Sequence, residues 1–217
     1  MMKKLFLLFV LVPFVSFAKF YKGTVTMNDG SLKNGFIELP EYSDDAKLKF
    51  KNEENGKSEK LDIENIKGFD ITNNKNQTIE FITIYLASQK PFTTLEFKID
   101  SKKSWVRVLK EGKISLYSTY ENYSSIITSS GSSIPGSVNG GSTSFYIKKG
   151  TDNYATFIDA IEGGANICGN CFSQMKKTIS KILEKDCPKL ADLLTKDDLK
   201  KNGYVRIVEL YEQNCGK

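Results

Sequence analysis

Four cysteines and no histidine frame the chemistry open to this 217-residue chain. Without histidine there is no Ser-His-Asp triad, no Cys-His dyad, no His-ligated zinc and no histidine general base. The cysteines stand at Cys168, Cys171, Cys187 and Cys215, all in the last quarter of the sequence. An even count behind an export signal reads first as two disulfides, and four cysteines allow three pairings. Cys187–Cys215 with Cys168–Cys171 is the favoured set, because Cys187 ends one expected helix and Cys215 ends the last. A bridge there would staple a helical hairpin, and closing its loop would contribute roughly 3–4 kcal/mol by chain entropy.

The competing chemistry is redox. Cys168-Gly169-Asn170-Cys171 is a Cys-x-x-Cys at an expected helix start, where the helix dipole favours a thiolate. Thioredoxin-like sites follow a central parallel strand within a βαβ unit. This pair instead follows Glu162-Gly163-Gly164-Ala165-Asn166, late in the chain. An all-cysteine zinc site would need a second close pair, and Cys187 and Cys215 lie far apart. Neither a metal site nor a cofactor site is expected. Asp44-Asp45, Glu53-Glu54 and Asp197-Asp198 are paired carboxylates, but adjacency in sequence does not set the spacing that acid–base hydrolysis needs, and each pair reads as solvated. Asn76-Gln77-Thr78 and Asn122-Tyr123-Ser124 fit the glycosylation acceptor pattern.

The N-terminus reads as an export signal. Lys3 and Lys4 precede an apolar run from Leu5 to Phe17, and Ser16-Phe17-Ala18 places small residues for a cut after Ala18. The run is too short to span a bilayer as a helix. No comparable apolar run follows, so no transmembrane span is expected in the mature chain. Loss of Lys3 and Lys4 would take the formal charge from +5 to +3. Only Arg107 and Arg206 are arginines, and no basic run exceeds two residues. Nucleic-acid binding, which favours arginine forks, is not expected.

Three kinds of pattern position these residues. From Phe20 to Tyr120 the apolar residues recur every second position, as strands require. Leu95, Phe97 and Ile99 alternate with Thr94, Glu96 and Lys98. Ile79–Leu86 is apolar on both faces, as a central strand would be. Further strands fit Tyr21–Met27, Gly35–Leu39, Lys47–Lys51, Ile66–Ile71, Trp105–Leu109 and Ile114–Tyr120. Turns fit Asn28–Ser31, Asn52–Lys57, Asn73–Asn76 and Glu111–Lys113. Eight or nine short strands joined this way argue for an antiparallel sheet curled into a sandwich or partial barrel. The strands are too short, and their outward positions too charged, for a membrane barrel.

Ser124–Ser144 is rich in serine and glycine and reads as a loop inside a long hairpin, returning through Thr143–Lys148. A lid or partner-binding role is its functional reading. From Tyr154 the period changes to 3.6, with Tyr154, Phe157, Ile158 and Ile161 as a first helical face. Phe172, Met175, Ile179, Ile182 and Leu183 stripe a helix over Asn170–Lys185. Pro188 opens the next helix, carrying Leu190, Leu193 and Leu194. Thr195 caps Lys196-Asp197-Asp198 in a polar connection that ends at Gly203. Tyr204–Asn214 is the last helix.

The expected architecture is therefore α+β. Residues 1–18 form a signal peptide, 19–150 a curled antiparallel β domain with loop 124–144, and 151–217 a small disulfide-stapled helical segment. Two patches carry a resemblance: Phe20–Val25 through Asp29-Gly30 to Gly35–Ile37, and Asp186–Leu190 followed by Val208–Tyr211 and Cys215. In these the chain resembles small uncharacterised secreted bacterial proteins, a group that carries over no activity or catalytic residues. The expected function is that of an exported, non-catalytic binding or interaction module. Its partner would be a protein or ligand of the cell envelope, in the periplasm, or of the extracellular space. The alternative is a thiol-disulfide oxidoreductase using Cys168 and Cys171.

Overall fold

The computed structural model describes residues 19–90, 95–120, 142–150, 152–162 and 171–216. The expected signal peptide, Cys168 and most of the Ser/Gly stretch lie outside the described residues. The last residues of that stretch, Ser142–Ser144, open a strand.

Among the described residues ten strands run β1 (Phe20–Met27), β2 (Leu32–Glu38), β3 (Lys47–Lys51), β4 (Glu59–Asp62), β5 (Ile66–Thr72), β6 (Thr78–Gln89), β7 (Phe97–Lys110), β8 (Ile114–Tyr120), β9 (Ser142–Lys149) and β10 (Tyr154–Glu162). Four helices follow: α1 (Cys171–Ile182), α2 (Leu190–Leu193), α3 (Lys196–Asn202) and α4 (Val205–Asn214). One sheet holds all ten strands in the order β10-β9-β8-β7-β6-β5-β1-β2-β3-β4, and β10 also pairs with β6. That extra pairing closes β6 to β10 into a five-stranded barrel, so the curl is a full closure rather than a sandwich.

The turns form for the reasons their residues suggest. In Asn28–Ser31, Gly30 takes φ +85°, and the Asp29 carboxylate accepts from the Ser31 amide at 2.8 Å and hydroxyl at 2.6 Å. In Asn73–Asn76, the Asn73 side-chain oxygen accepts from the amides of Lys75 and Gln77, both at 2.9 Å. Gly23 of β1 has no room for a side chain, since a Cβ would sit 2.0 Å from the Asp70 carbonyl oxygen of β5.

β6 is the shared strand. Its first half pairs antiparallel with β5, from Gly68↔Ile82 to Thr72↔Thr78. Its second half pairs in parallel with β10, at Tyr85, Leu86 and Ala87. Both of its faces are covered, Ile79 and Phe81 packing with the β1–β5 extension and Ile82, Ile84 and Leu86 in the ring, which is why Ile79–Leu86 is apolar on both faces.

Two patches of the sequence fold differently from their pattern. Tyr154–Glu162 is a strand, not a helical face, so helical structure begins only at Cys171 among the described residues, not at 151. The register shifts between Phe157 and Asp159, leaving Ile158 as a bulge. One extra residue resets which positions face inward, so the buried Ala155, Ile158 and Ile161 fall three apart and mimic a helical period. The second patch is β7, one strand of 14 residues where two short ones are expected. The polar run Asp100–Ser104 hides its continuity. Here Tyr85 pairs with Lys103 but Ala87 with Ile99, so an irregularity opposite Leu86 absorbs the extra residues.

Packing forms three clusters. Ile84, Leu86, Val106, Tyr117 and Ala155, with Ile82, Val108 and Tyr146 against them, draw on all five barrel strands and fill the ring. Phe50 and Phe69 of the β1–β5 extension share a cluster with Phe81 of β6 and Trp105 of β7, with Phe69 stacked on Phe81 at 4.7 Å and edge-on to Trp105 at 5.3 Å. The helices cover the outer face of β8 to β10. There Met175, Ile179 and Leu183 meet Leu116, Phe145 and Ile147.

The helix signals hold in most details. α1 buries Met175 and Ile179 and exposes Lys177 and Lys181, whereas Lys176 is half-buried and donates to the Leu194 carbonyl. Pro188 lies two residues before α2, not at its first position. Thr195 accepts from the Asp198 amide at 3.1 Å, and what it caps is a helix, α3, rather than a polar connection. Arg206 of α4 binds Asp198 of α3 at 2.9 Å and lowers its pKa. Cys187 and Cys215 are disulfide-bonded, with Cα atoms 5.7 Å apart.

Sheet and helices also share a buried polar contact. The Tyr204 hydroxyl donates to Asp159 of the bulged strand, and the Tyr204 ring stacks on Phe145 at 3.9 Å. Burial pushes the Asp159 carboxyl above its ordinary value, against the lowering effect of bonds from Tyr204 and the Ala160 amide.

Two predictions follow from these links. Replacing Cys187 and Cys215 together with Ser is expected to cost about 2–5 kcal/mol in denaturant unfolding. A loss too small to measure would mean that helix packing alone holds the hairpin. For Asp159, a carboxyl whose pKa is raised by folding holds its proton more tightly in the folded state. Its stabilising share is full below the unfolded pKa and is lost as pH rises through the folded one. Asp159→Asn keeps an acceptor for Tyr204 and removes the ionisation. It should flatten the stability profile from the ordinary Asp pKa upward, and an unchanged profile would refute the assignment.

Candidate functional site

A polar groove of about 400 Å³ opens at one mouth of the barrel. The strand ends build most of it. Leu86 comes from β6, Asp100 and Ser104 from β7, Thr119 and Tyr120 from β8, and Ser142, Ser144 and Tyr146 from β9. Leu86, Ser104, Thr119 and Tyr146 belong to the residue set that alternates into the ring, so the groove continues the barrel interior upward. The irregularity in β7 brings Asp100 to the rim, since the extra residues there lie opposite Leu86.

The remaining wall is the segment between β2 and β3, which contributes Tyr42, Ser43 and Asp44. Several hydrogen bonds fix it, including a turn from the Asp45 amide to the Tyr42 carbonyl at 3.3 Å. The Asp45 carboxylate accepts from the amides of Glu41 at 2.8 Å and Tyr42 at 3.1 Å. The Trp105 amide donates to the Ser43 carbonyl at 2.7 Å, and its indole N–H donates to the Asp45 carbonyl at 2.8 Å. The Ile63 amide donates to the Ala46 carbonyl at 2.9 Å. Trp105 is fully buried, so the wall rests on the core of the β1–β5 extension. Tyr42 is 51% exposed. A large aromatic held outward on a pinned segment is a ready contact surface.

Electrostatically the groove is neutral to acidic. Asp44 and Asp100 are exposed, and neither forms a salt bridge among the described residues. No lysine or arginine is among the described lining residues. The half-buried Tyr146 is bonded to Thr119 and Ser144, and burial raises its phenol pKa. Deeper in the ring, Tyr117 is bonded to Ser115 and raised by burial in the same way. Hydroxyls fixed in this way can donate and accept without reorganising.

A second, smaller groove of about 310 Å³ lies on β5 and β6, where Glu80 and Ile82 share the sheet face that carries Ile84 and Leu86 into the ring. There Asp70 and Glu80 stand directly opposite each other across the strands. Burial raises both carboxyls, and Glu111 and Asp70 raise Glu80 further.

The residues singled out in the sequence are scattered. Cys187–Cys215 is a bridge within the helical layer. Cys171 is the first residue of α1 and half-buried, and its pairing with Cys168 lies outside the described residues. Of the carboxylate pairs, Asp44 lines the groove while Asp45 holds its wall, Asp198 accepts from Asn202 and pairs with Arg206 within the helices, and Glu53-Glu54 sits in an exposed turn. The groove itself escaped the sequence reading, because its residues span 42 to 146 and share no motif. The one usable signal was the polar interruption of a strand at Asp100–Ser104.

Among the described residues no helix is long and apolar enough to cross a membrane. No family model, curated protein or solved structure matches this chain, so its own geometry is what bears on function.

The pinned wall yields a direct test. Trp105→Phe removes the donor to the Asp45 carbonyl and should cost about 1–3 kcal/mol. Amide exchange at Glu41 and Tyr42 should speed up together, since both depend on Asp45. Unchanged protection of those two amides would show that the wall stands without Trp105.

Proposed function

We propose that this chain is an exported, non-catalytic binding module whose ligand seats in the groove at the barrel mouth. The observation that carries this reading is the groove's construction. Its floor is the closed barrel, its wall is tied to Trp105, and the Tyr146 hydroxyl is held by Thr119 and Ser144. A site held in advance loses little freedom on binding. Its volume falls within the roughly 300–1,000 Å³ typical of small-ligand sites. A disulfide in the helical layer and an N-terminal segment with export-signal features support an oxidising compartment.

The redox alternative rests on Cys168 and Cys171 alone. The topology favours the binding reading. Among the described residues every strand pairing in the sheet is antiparallel except β6–β10, and no βαβ unit occurs. A measured reduction potential separates the two, because structural bridges lie below about −300 mV and catalytic ones nearer −120 to −270 mV.

The binding reading is tested by blocking the groove. Ser142→Trp places a bulky ring at its edge, on the first residue of β9. Small molecules from the host's extracytoplasmic fraction should be retained by the wild-type mature chain in native mass spectrometry and lost from the variant at unchanged circular dichroism. Equal retention by both proteins would place binding elsewhere. N-terminal sequencing of the exported chain should begin near Lys19, and a chain still beginning at Met1 would overturn export.

A further inference from the structure

We infer that the barrel-mouth groove takes a neutral polyhydroxylated ligand, a mono- or disaccharide unit, stacked on Tyr42 and hydrogen-bonded by the serine and threonine hydroxyls. This rests on the binding reading above and adds the chemistry of the ligand.

Each class of ligand meets different groups in the groove. An apolar ligand finds a single aliphatic side chain, Leu86, among hydroxyls, phenols and carboxylates. Burying it there would strip water from polar groups that it cannot satisfy. An anion meets Asp44 and Asp100, and no described lining residue carries a positive charge. An organic cation finds those two carboxylates only where they are exposed, so water and salt screen the attraction. The groove's deeper part offers it no charge.

A sugar meets a partner at every level. Ser104, Thr119, Ser142 and Ser144 carry hydroxyls, and each hydroxyl both donates and accepts, as a sugar hydroxyl does. Asp44 and Asp100 accept from hydroxyl pairs at the rim and pay little to remain wet. Tyr42 presents a ring to the apolar C–H face of a pyranose, and its half-exposed position is set by the bonds that fix Asp45 and Ser43 to neighbouring amides and to Trp105. The rigidity matters because protein–sugar contacts are individually weak, and an unfixed wall would spend their energy on ordering.

The test is an NMR titration of the mature full-length chain with four named probes: cellobiose, chitobiose, spermidine and glucose 6-phosphate. The expected result is saturable shifts at Tyr42, Ser142 and Ser144 with a neutral disaccharide, at an affinity insensitive to added salt. Tyr42→Ala should weaken that affinity about tenfold or more, while Tyr42→Trp retains it. Since Tyr42 is exposed, neither change should disturb folding. Saturation by spermidine or glucose 6-phosphate at the same residues, with both disaccharides silent, would overturn the sugar assignment and leave the groove as a binding site. Equal affinity in Tyr42→Ala would likewise overturn the stacking. Silence of the groove residues toward all four probes would remove both the sugar assignment and the binding reading.

Discussion

The parallel pairing of β10 with the second half of β6 is the contact on which the rest depends. β6 is twelve residues long, and β7 runs beside it along most of its length. On its other side it serves β5 first and β10 second. Only three residue pairs make the β10 contact, yet they turn an open sheet into a ring. Closure removes two edges that would otherwise expose unpaired amides and carbonyls. It also creates an inside, and with it a mouth at which the ends of four strands meet. Parallel pairing cannot come from a tight hairpin. The chain reaches it by passing through β7, β8 and β9 first.

The bulge at Ile158 reconciles the two demands on β10. The strand must send Ala155 into the ring beside Leu86, and it must send Ile158 and Ile161 outward to the helices. A regular strand would put Ala155 and Ile161 on one face, because their positions differ by an even number. The extra residue changes the parity midway. It also leaves Asp159 beside Tyr204, so the polar tie between sheet and helices lies where the ladder is already irregular. The cost of a buried carboxyl there is offset by two donors, the Tyr204 hydroxyl and the Ala160 amide.

How legible the fold is in the sequence follows the range of the interactions. Turns were legible, because Asn73, Asp29 and Gly30 act on neighbours within four residues. The Thr195 cap and the α1 stripe were legible for the same reason. So was the Cys187–Cys215 bridge, since helix ends can be read locally and the cysteines are few. The strand identity of Tyr154–Glu162 was not, because a bulge produces the three-residue spacing that also marks a helix, and only pairing with β9 and β6 distinguishes the two. The continuity of β7 was hidden by the polar run Asp100–Ser104, of which Asp100 and Ser104 line the groove and Lys103 pairs with Glu64. The short strand β4 carries one buried apolar residue, Leu61, too little pattern to announce itself.

The groove was illegible for a deeper reason. Each of its residues is ordinary in its own segment: a serine opening a strand, an aspartate in a polar run, a tyrosine in a loop. They become a site only because closure of the ring brings β6 to β9 to one mouth and because Trp105, buried for its own packing, carries two hydrogen bonds to the segment that bears Tyr42. The stability of the core and the shape of the groove are thus coupled through one side chain. Changes to Phe69 or Phe81, which pack on Trp105 and on each other, reach the groove wall without touching it. The same coupling explains how a sequence with no catalytic spacing and no motif still presents a preformed concave surface. Packing requirements place the aromatic residues, and the surface inherits its rigidity from them.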